Sequence, residues 1–319
     1  MKVIIRTDAS IEIGSGHVMR CLTVAKNLRV NGCEVIFWMQ DLPGNLIDYV
    51  ISEGFGNIFE AEQADIYIID HYGIDKEWEC KIRVFTKKIV VIDDLANRKH
   101  DCELLLDPNV LPNFESRYDD LVSDACIKLL GPKYLIMRDE FIDARRLLRK
   151  RNEQIENLLI FMGGSDPTNE TMKILEALEE FQFKHIDVVV GNGNVFKEQI
   201  REICEERGYD YHCQINYMAK LMQQADFAIG AGGSTTWERC YVGLPSSSTI
   251  VANNQKEGTE FVAELGIVIN LGWHKDVTSE TYKQLLKNLQ IKDLSEKGLI
   301  LTQNEQPNEW VYKILELIK

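Results

Sequence analysis

Short apolar runs rich in β-branched residues alternate with amphipathic stretches along most of the chain, which leaves few folds open to it. The runs predicted as strands are residues 3–6, 34–39, 66–70, 88–92 and 103–106, then 158–162, 186–190, 226–229 and 247–251. Turns follow these runs, and helical periodicity follows the turns. Because strands that alternate with helices pair in parallel through right-handed crossovers, the sequence predicts an α/β fold with doubly wound, Rossmann-like sheets.

The length of 319 residues is typical of two domains, at about 100 to 200 residues each. The charge-dense stretch 138–156 is typical of a solvated helix that leads into a linker, so we predict domains at 1–150 and 151–319. Residues 309–319 have helical apolar spacing and predict a terminal helix that needs a surface to dock on. Ligands of doubly wound sheets bind at the carboxyl ends of the strands, so we expect the two sheets to face each other across a cleft.

The composition disfavours several classes of function. The 50 acidic and 36 basic residues give a net charge of −14, which argues against a nucleic-acid partner. The longest apolar runs are far shorter than the roughly 20 residues that span a membrane, and the first residues lack a signal-peptide pattern. The eight cysteines show no C-x-x-C spacing. We expect a cytoplasmic monomer with no membrane or nucleic-acid partner.

A glycine turn after the first predicted strand is the first candidate site. Gly14 and Gly16 let the backbone approach a ligand, and a helix begins at Gly16 or His17 with free N–H groups that face an anion or oxygen. The positive end of the helix dipole keeps the His17 imidazole neutral and able to accept a proton from water. The alternative is a histidine that only caps loop carbonyls.

Other polar residues follow the first-domain strands. Arg6 and Asp8 line the histidine loop, and Asp8 is expected to hydrogen-bond His17 or a sugar hydroxyl, or else only to stabilise the loop. Tyr72 follows the strand at 66–70, where it is placed to stack on a sugar or hydrogen-bond to it.

Paired carboxylates end another strand at Asp93 and Asp94, where binding to loop amides is the favoured interpretation over metal or acid–base work. The chain has no D-x-D triplet, the kind of carboxylate cluster that holds Mg²⁺ or Mn²⁺. The sequence therefore predicts neither a metal nor a cofactor.

Two glycine turns in the second half predict a cradle for a nucleoside diphosphate. The first contains Gly163, Gly164 and Ser165, and the second contains Gly232, Gly233, Ser234, Thr235 and Glu238. Hydroxyls and a helix dipole hold phosphate oxygens without metal, and the glutamate is placed to accept from ribose hydroxyls. The alternative is a tight turn that binds nothing. Asn254 and Gln255 are expected to reach the same ligand, or only to form a turn.

The motifs resemble those of one known family. Residues 6–10, 13–21, 91–98, 107–109, 130–134, 162–166 and 232–238 resemble, in order, the UDP-2,4-diacetamido-2,4,6-trideoxy-β-L-altropyranose hydrolases of pseudaminic acid biosynthesis, and similar sequences are assigned to spore-coat polysaccharide synthesis. The resemblance fades from Gly272 onward, and Thr7 replaces an expected alanine. It implies the GT-B fold, shared with the glycosyltransferase of peptidoglycan lipid intermediates, with a terminal helix that packs back across the domains.

The resemblance also implies an activity, which is removal of UDP from the sugar by water at the anomeric carbon, with inversion and without metal. It implies a sugar-binding, catalytic N-terminal domain and a UDP-binding C-terminal domain. By this resemblance His17 is the catalytic histidine, and Tyr72 and Asn254 are cleft residues that we predict to be catalytic with it. Ser234, Thr235 and Glu238 belong to the UDP loop.

Two other functions are compatible with the same residues. A GT-B glycosyltransferase would use the same UDP cradle and deliver the sugar to an acceptor, because a fold by itself does not name a reaction. A non-catalytic UDP-sugar binding protein would use the cradle alone. In all three cases the partner is a small UDP-sugar.

Overall fold

The computed structural model describes residues 1–151 and 154–318, which form two compact units. The first unit is Met1–Met137 with Asn304–Lys319, and the second is Arg138–Gln303. Lys319, where the predicted terminal helix ends, lies outside the described residues. No helix in the described part of the chain is both long and apolar enough to cross a lipid bilayer.

The first unit contains a parallel sheet. In the described residues its strands are β1 (Lys2–Thr7), β2 (Glu34–Trp38), β3 (Gly56–Ile58), β4 (Ala64–Asp70), β5 (Thr86–Ile92), β6 (Leu104–Asp107) and β7 (Ile127–Leu130). They lie in the order β3-β2-β1-β4-β5-β6-β7. The central strands β1 and β4 are apolar on both faces, as is typical of a parallel sheet that is covered on both sides.

The second unit contains another parallel sheet. Its described strands are β8 (Asn157–Phe161), β9 (His185–Val190), β10 (Asp210–Cys213), β11 (Phe227–Ala231), β12 (Ser246–Ile250) and β13 (Ile269–Trp273). They lie in the order β10-β9-β8-β11-β12-β13. The predicted α/β class with two doubly wound sheets is therefore confirmed.

Helices connect the strands in both units. Those of the first unit are α1 (Gly16–Val30), α2 (Ile47–Ser52) and α3 (Lys76–Ile82), with α12 (Trp310–Glu316) from the C-terminal segment. Those of the second unit are α4 (Asp139–Arg146), α5 (Glu170–Ala177), α6 (Lys197–Arg207), α7 (Met218–Gln224), α8 (Ser234–Tyr241), α9 (Asn253–Glu264), α10 (Ser279–Lys287) and α11 (Leu294–Leu301).

Each sheet reverses its strand order once. In the first unit the reversal falls between β1 and β4, where Thr7 pairs with Asp70. In the second unit it falls between β8 and β11, where Phe161 pairs with Gly230. Loops at such a switch point diverge and leave a crevice at the carboxyl ends of the strands. Each unit therefore has one favoured ligand position, and the glycine turns singled out in the sequence follow these strands.

All nine predicted strands form, and the four strands that the sequence did not predict are the edges of the two sheets. These are β3, β7, β10 and β13. Each is largely half-buried or exposed along its length. Edge strands therefore lack the continuous apolar run that marks a central parallel strand.

The unit boundary lies at residue 138, before the predicted position near 150, because α4 packs within the second unit. Ala219 N–H donates to Glu140 Oε2 at 3.0 Å, and Gln223 Nε2 donates to the Ala144 carbonyl at 2.8 Å. Arg145 donates to the Tyr241 carbonyl at 2.7 Å, at the last turn of α8. The α4 part of the charge-dense segment is thus packed rather than solvated, since cations at helix C-termini bind the free carbonyls there, and residues 152 and 153 of that segment lie outside the described residues.

The terminal helix belongs to the first unit, in contrast to the predicted 151–319 domain. Trp310 and Ile314 of α12 are fully buried in the core beside α1. Asn308, which precedes α12, accepts from Met137 N–H at 3.0 Å and donates to the Met137 carbonyl at 2.8 Å. Its Oδ1 also accepts from the indole N–H of Trp310 at 3.1 Å. One buried amide therefore ties the C-terminal segment to the end of the N-terminal segment.

We expect Asn308→Ala to destabilise the protein by about 2–4 kcal/mol. The change leaves buried groups of Met137 without partners, and it places alanine at a φ of 59°, a left-handed conformation that asparagine tolerates better. Urea unfolding followed by tryptophan fluorescence measures the loss. Gln306→Ala, in the same turn but exposed, is the control and should stay within about 0.5 kcal/mol of the parent chain. Equal stability of the two variants would contradict the role given to Asn308.

Candidate active site

His17 and Asp70 form a hydrogen-bonded pair at the switch point of the first sheet. His17 lies in the first turn of α1, and Asp70 ends β4. His17 Nδ1 lies 2.6 Å from Asp70 Oδ1. Because a carboxylate only accepts, Nδ1 donates, and Nε2 of the neutral ring keeps its lone pair. Within the described residues no protein group hydrogen-bonds Nε2, and 9% of the histidine side chain stays accessible.

Arg20 completes this pair electrostatically. It lies one turn after His17 on α1, and its Nε and Nη2 each donate to one oxygen of Asp70 at 2.7 Å. Burial by itself would raise the pKa of Asp70, but the charges and hydrogen bonds of Arg20 and His17 outweigh burial and hold that pKa well below its usual range. Asp70 is therefore ionised at neutral pH and accepts from both neighbours.

The network continues to the next strand. Arg20 Nη1 donates to Asp94 Oδ2 at 3.1 Å, and the Tyr72 hydroxyl donates to Asp94 Oδ1 at 2.7 Å. The Tyr72 ring packs edge-on against the imidazole of His17, with centroids 4.4 Å apart. The structure thus brings together the two first-domain residues predicted as catalytic. Asp93, the neighbour of Asp94, accepts from the loop amide of Ala96 at 2.9 Å. Binding to loop amides is the interpretation that the sequence favoured for this residue.

Arg6 and Asp8 contact each other instead of His17. Arg6 Nη2 lies 2.7 Å from Asp8 Oδ2, and the other Asp8 oxygen accepts from the Gln40 backbone at 2.8 Å. His71 Nε2 lies 3.2 Å from the same carboxylate. The expected hydrogen bond between His17 and Asp8 is therefore wrong, because Asp70 on the adjacent strand accepts from His17 instead. Asp8 stabilises the loop, the alternative that the sequence left open.

The turn before α1 is closed by its own backbone. Gly14 N–H donates to the Ser10 carbonyl at 2.8 Å, with a φ of 80° at Gly14. Gly16 begins the helix, and no atom would lie within 4 Å of a Cβ at either glycine. The space beside this turn is therefore open to a ligand, but the Gly14 amide is already used.

The glycine turn after β11 leads directly into α8, as predicted. Gly232 N–H donates to the Thr249 carbonyl at 2.9 Å, and a Cβ at Gly232 would lie 2.1 Å from Thr259 Oγ1. Only glycine fits there. Thr236 Oγ1 accepts from Gly233 N–H at 3.3 Å. Ser234 is exposed and Thr235 half-buried, so the first turn of α8 presents hydroxyls at the surface.

Gln255 lies against this turn. Its Oε1 accepts from Val251 N–H at 3.0 Å, and its Nε2 would lie 3.6 Å from a Cβ at Gly233. Asn254 lies beside it in the first turn of α9, and its side chain is exposed. The structure therefore groups both amides with the second unit and its glycine turn.

Glu238 forms an ion pair within the second unit. Its Oε1 accepts from Arg138 Nε at 3.0 Å. Its Oε2 is buried, with no hydrogen-bond partner among the described residues. One carboxylate oxygen therefore holds the start of the second unit against α8.

The turn after β8 packs on the neighbouring loop. Gly163 has a φ of 93°, and a Cβ at Gly191 would lie 2.3 Å from the Gly164 carbonyl. Ser165 follows at the half-buried end of the turn, and Asp166 accepts from the first N–H groups of α5 at 2.9 Å. The predicted strand–turn–helix unit is thus present. In the described part of the chain, no cluster of three or more His, Cys, Asp or Glu side chains could hold a metal ion.

Sequence reasoning missed Asp70 and Arg20. Both signals were present, because Arg20 follows His17 by three residues on one helix face and Asp70 ends a predicted strand. The missing information was that β4 pairs with β1, which brings the end of one strand beside the loop of the other.

Comparison with known proteins gives homologues over most of the chain, although no protein-family model matches it. An uncharacterized protein of Methanocaldococcus jannaschii is 30% identical over 267 residues, 77% of this chain and 54% of the relative, so the chain spans about half of that protein's length. A UDP-2,4-diacetamido-2,4,6-trideoxy-beta-L-altropyranose hydrolase of Campylobacter jejuni is 28% identical over 83% of this chain and 97% of its own. The spore coat polysaccharide biosynthesis protein SpsG of Bacillus subtilis is 26% identical over 88% and 86%.

Solved structures identify the fold. MurG of Acinetobacter baumannii aligns over 99% of both chains with a TM-score of 0.62 at 16% identity. The spinosyn rhamnosyltransferase SpnG aligns over 99% of this chain and 100% of its own, with a TM-score of 0.65 at 12% identity. Both are GT-B glycosyltransferases, and the predicted GT-B fold is confirmed.

Proposed function

We propose that this homologue of UDP-2,4-diacetamido-2,4,6-trideoxy-β-L-altropyranose hydrolase removes UDP from the same class of nucleotide sugar. Water attacks the anomeric carbon and the configuration inverts. The homologues' names support a UDP-sugar-acting enzyme of polysaccharide biosynthesis. The product would enter the synthesis of pseudaminic acid or a related surface glycan.

The observation that carries the proposal is the geometry of His17. Its Nδ1 donates to Asp70 at 2.6 Å, which leaves the Nε2 lone pair for a water molecule. A general base in this tautomer, oriented by a buried carboxylate, is the arrangement by which histidine activates hydroxyl nucleophiles. The negative charge of Asp70 stabilises the imidazolium that forms when the ring accepts the proton, and Arg20 holds that carboxylate in place through two hydrogen bonds.

Hydrolysis of the UDP-sugar needs only one base. The oxygen of water bonds to the anomeric carbon, one water proton moves to His17 Nε2, and the bond from the anomeric carbon to the phosphate oxygen breaks. UDP leaves with the electron pair. Because UDP is a good leaving group, its phosphates need charge stabilisation more than a proton donor.

The second unit would bind the leaving group. In our proposal the hydroxyls of Ser234 and Thr235 and the amides at the start of α8 hold the diphosphate, with Gly163, Gly164 and Ser165 beside it. Gln255 and Asn254 contact the substrate from α9. Tyr72 forms one wall of the histidine pocket and faces the sugar. The N-terminal unit thus serves the sugar and catalysis, and the C-terminal unit serves UDP.

A glycosyltransferase is the second candidate, since the solved neighbours of the same fold carry that activity. It would use the UDP cradle and give the sugar to an acceptor hydroxyl. The two functions differ in one observable, because only the hydrolase releases UDP from the UDP-sugar in the absence of an acceptor.

Incubation of the protein with the UDP-sugar in ¹⁸O-water distinguishes the candidates. We expect one labelled oxygen in the free sugar and none in UDP, detected by mass spectrometry. A label in UDP would mean attack at phosphorus and would overturn the mechanism. No UDP release in water, followed by release when an acceptor glycan is added, would favour the glycosyltransferase. Binding without turnover under both conditions would leave only a binding function.

A further inference from the structure

A charged side chain lies completely buried beneath the glycine turn of the second unit. Arg239 of α8 is only 1% exposed. Its Nε donates to Ser246 Oγ at 3.0 Å, and its Nη2 donates to Ser248 Oγ at 2.9 Å. These two serines belong to an unusual stretch of β12, which is wholly buried and yet begins with four hydroxyl residues. Ser246 and Ser248 are polar in the core because they solvate a guanidinium.

The charge of Arg239 has no ion-pair partner among the described residues. Its hydrogen-bond acceptors are hydroxyls and one backbone carbonyl, and no carboxylate of the described residues forms an ion pair with it. Burial lowers the pKa of Arg239 to about 10, so the group is still charged at neutral pH. A buried charge without a partner is costly, and proteins rarely keep one unless a ligand supplies the opposite charge.

The guanidinium of Arg239 is hydrogen-bonded directly to the glycine turn. Nη1 donates to Thr235 Oγ1 at 3.2 Å, and Nη2 donates to the Ala231 carbonyl at 3.2 Å and to Thr236 Oγ1 at 3.1 Å. A Cβ at residue 230 would lie 2.5 Å from Nη1, so Gly230 makes room for the cation. The hydroxyl of Thr235 accepts from Arg239, and its own hydrogen is thereby directed away from the guanidinium.

We infer that Arg239 is the buried counter-charge for the diphosphate of the bound nucleotide. Its positive charge stabilises the diphosphate across the glycine turn, without direct contact between the two groups. The inference rests on the proposed binding of UDP at this turn. The positive end of the α8 dipole and the guanidinium act on the same anion, and the burial of Arg239 away from bulk water reduces the screening of their field. This cation takes the place that a metal ion or an exposed lysine holds in other diphosphate sites.

Calorimetric titration of the full chain with UDP and with uridine tests the role of Arg239. We expect Arg239→Met to weaken UDP binding about 10- to 100-fold and to leave uridine binding unchanged, because uridine has no phosphate. Arg239→Lys should lose less UDP affinity, since it keeps a charge but not the fork of donors. Arg145→Met is the matched control, because Arg145 also donates to neutral acceptors in this unit but does not contact the turn.

The outcomes separate this inference from the proposed function. A parent chain that binds no UDP contradicts the proposed function itself. If Arg239→Met binds UDP as tightly as the parent chain does, only the role of Arg239 is contradicted. Equal losses for UDP and uridine indicate that the variant disturbs the fold of the turn, which also overturns the inference. Where Arg239→Met does not fold, Arg239→Lys is the deciding variant, because it keeps the positive charge. If Arg239→Lys no longer binds UDP more tightly than uridine, the charge of residue 239 is not what stabilises the diphosphate.

Discussion

Replacing His17 with asparagine should lower the rate of UDP-sugar hydrolysis about 10²- to 10⁴-fold, the usual contribution of a general base. The amide nitrogen of asparagine takes the position of Nδ1 and can still donate to Asp70. The variant therefore keeps the structural hydrogen bond and loses only the Nε2 lone pair. Because the histidine belongs to the first unit and the glycine turn to the second, the affinity for UDP should stay within about twofold of the parent chain.

His100 provides a matched control for this substitution. Its Nδ1 also lies 2.6 Å from a buried carboxylate, that of Glu79, but the side chain is only 1% accessible. His100→Asn should keep the turnover of the folded protein. The decisive measurement is the initial rate of UDP release at saturating substrate, together with UDP affinity by calorimetry. Full turnover by His17→Asn would remove the histidine from its proposed role, and His17→Phe then serves to show whether the ring position matters at all.

The sequence was sufficient to predict the fold because central parallel strands and strand-to-helix turns have strong local signals. The runs at 3–6 and 66–70 are apolar on both faces, and glycines follow β8 and β11. The terminal helix was predicted from its spacing, whereas its packing back was implied only by the family resemblance. The apolar spacing does not say which core Trp310 enters, and that choice depends on contacts distant in the sequence, such as the two hydrogen bonds between Asn308 and Met137.

The candidate site was predicted as isolated residues rather than as a network. His17 and Tyr72 each have a local signal, since both follow a predicted strand. Their connection runs through Asp70, Arg20 and Asp94, and it depends on which strands are neighbours. The same limit explains the wrong partner for His17, because Asp8 is closer in the sequence and Asp70 is closer in space. Arg239 has no local signal, as a basic residue on a helix is normally solvated.

Replacing Asp70 with asparagine should reduce turnover about 10³- to 10⁴-fold, although Asp70 never contacts the substrate. The carboxylate accepts from Nδ1 of His17 at 2.6 Å, and its second oxygen is occupied by Arg20. An amide in that place can donate to Nδ1, which moves the ring proton to Nε2 and converts the base into a donor. Asp70 is thus a positioning residue, and its loss should lower kcat far more than it raises KM.

Two measurements separate this tautomer effect from a general loss of structure. The ¹⁵N chemical shifts of His17 should report a proton on Nδ1 in the parent chain and on Nε2 in Asp70→Asn.

Asp107→Asn is the matched control, because Asp107 is also buried at a strand end and paired with an arginine, Arg117, but lies outside the histidine network. Burial raises the pKa of Asp107 to about 6, so a neutral amide changes little there at mildly acid pH. Unchanged turnover in Asp70→Asn with the Nε2–H tautomer present would show that His17 does not act as a base. Unchanged turnover with the parent tautomer would show that Arg20 and the pocket orient the ring without the carboxylate.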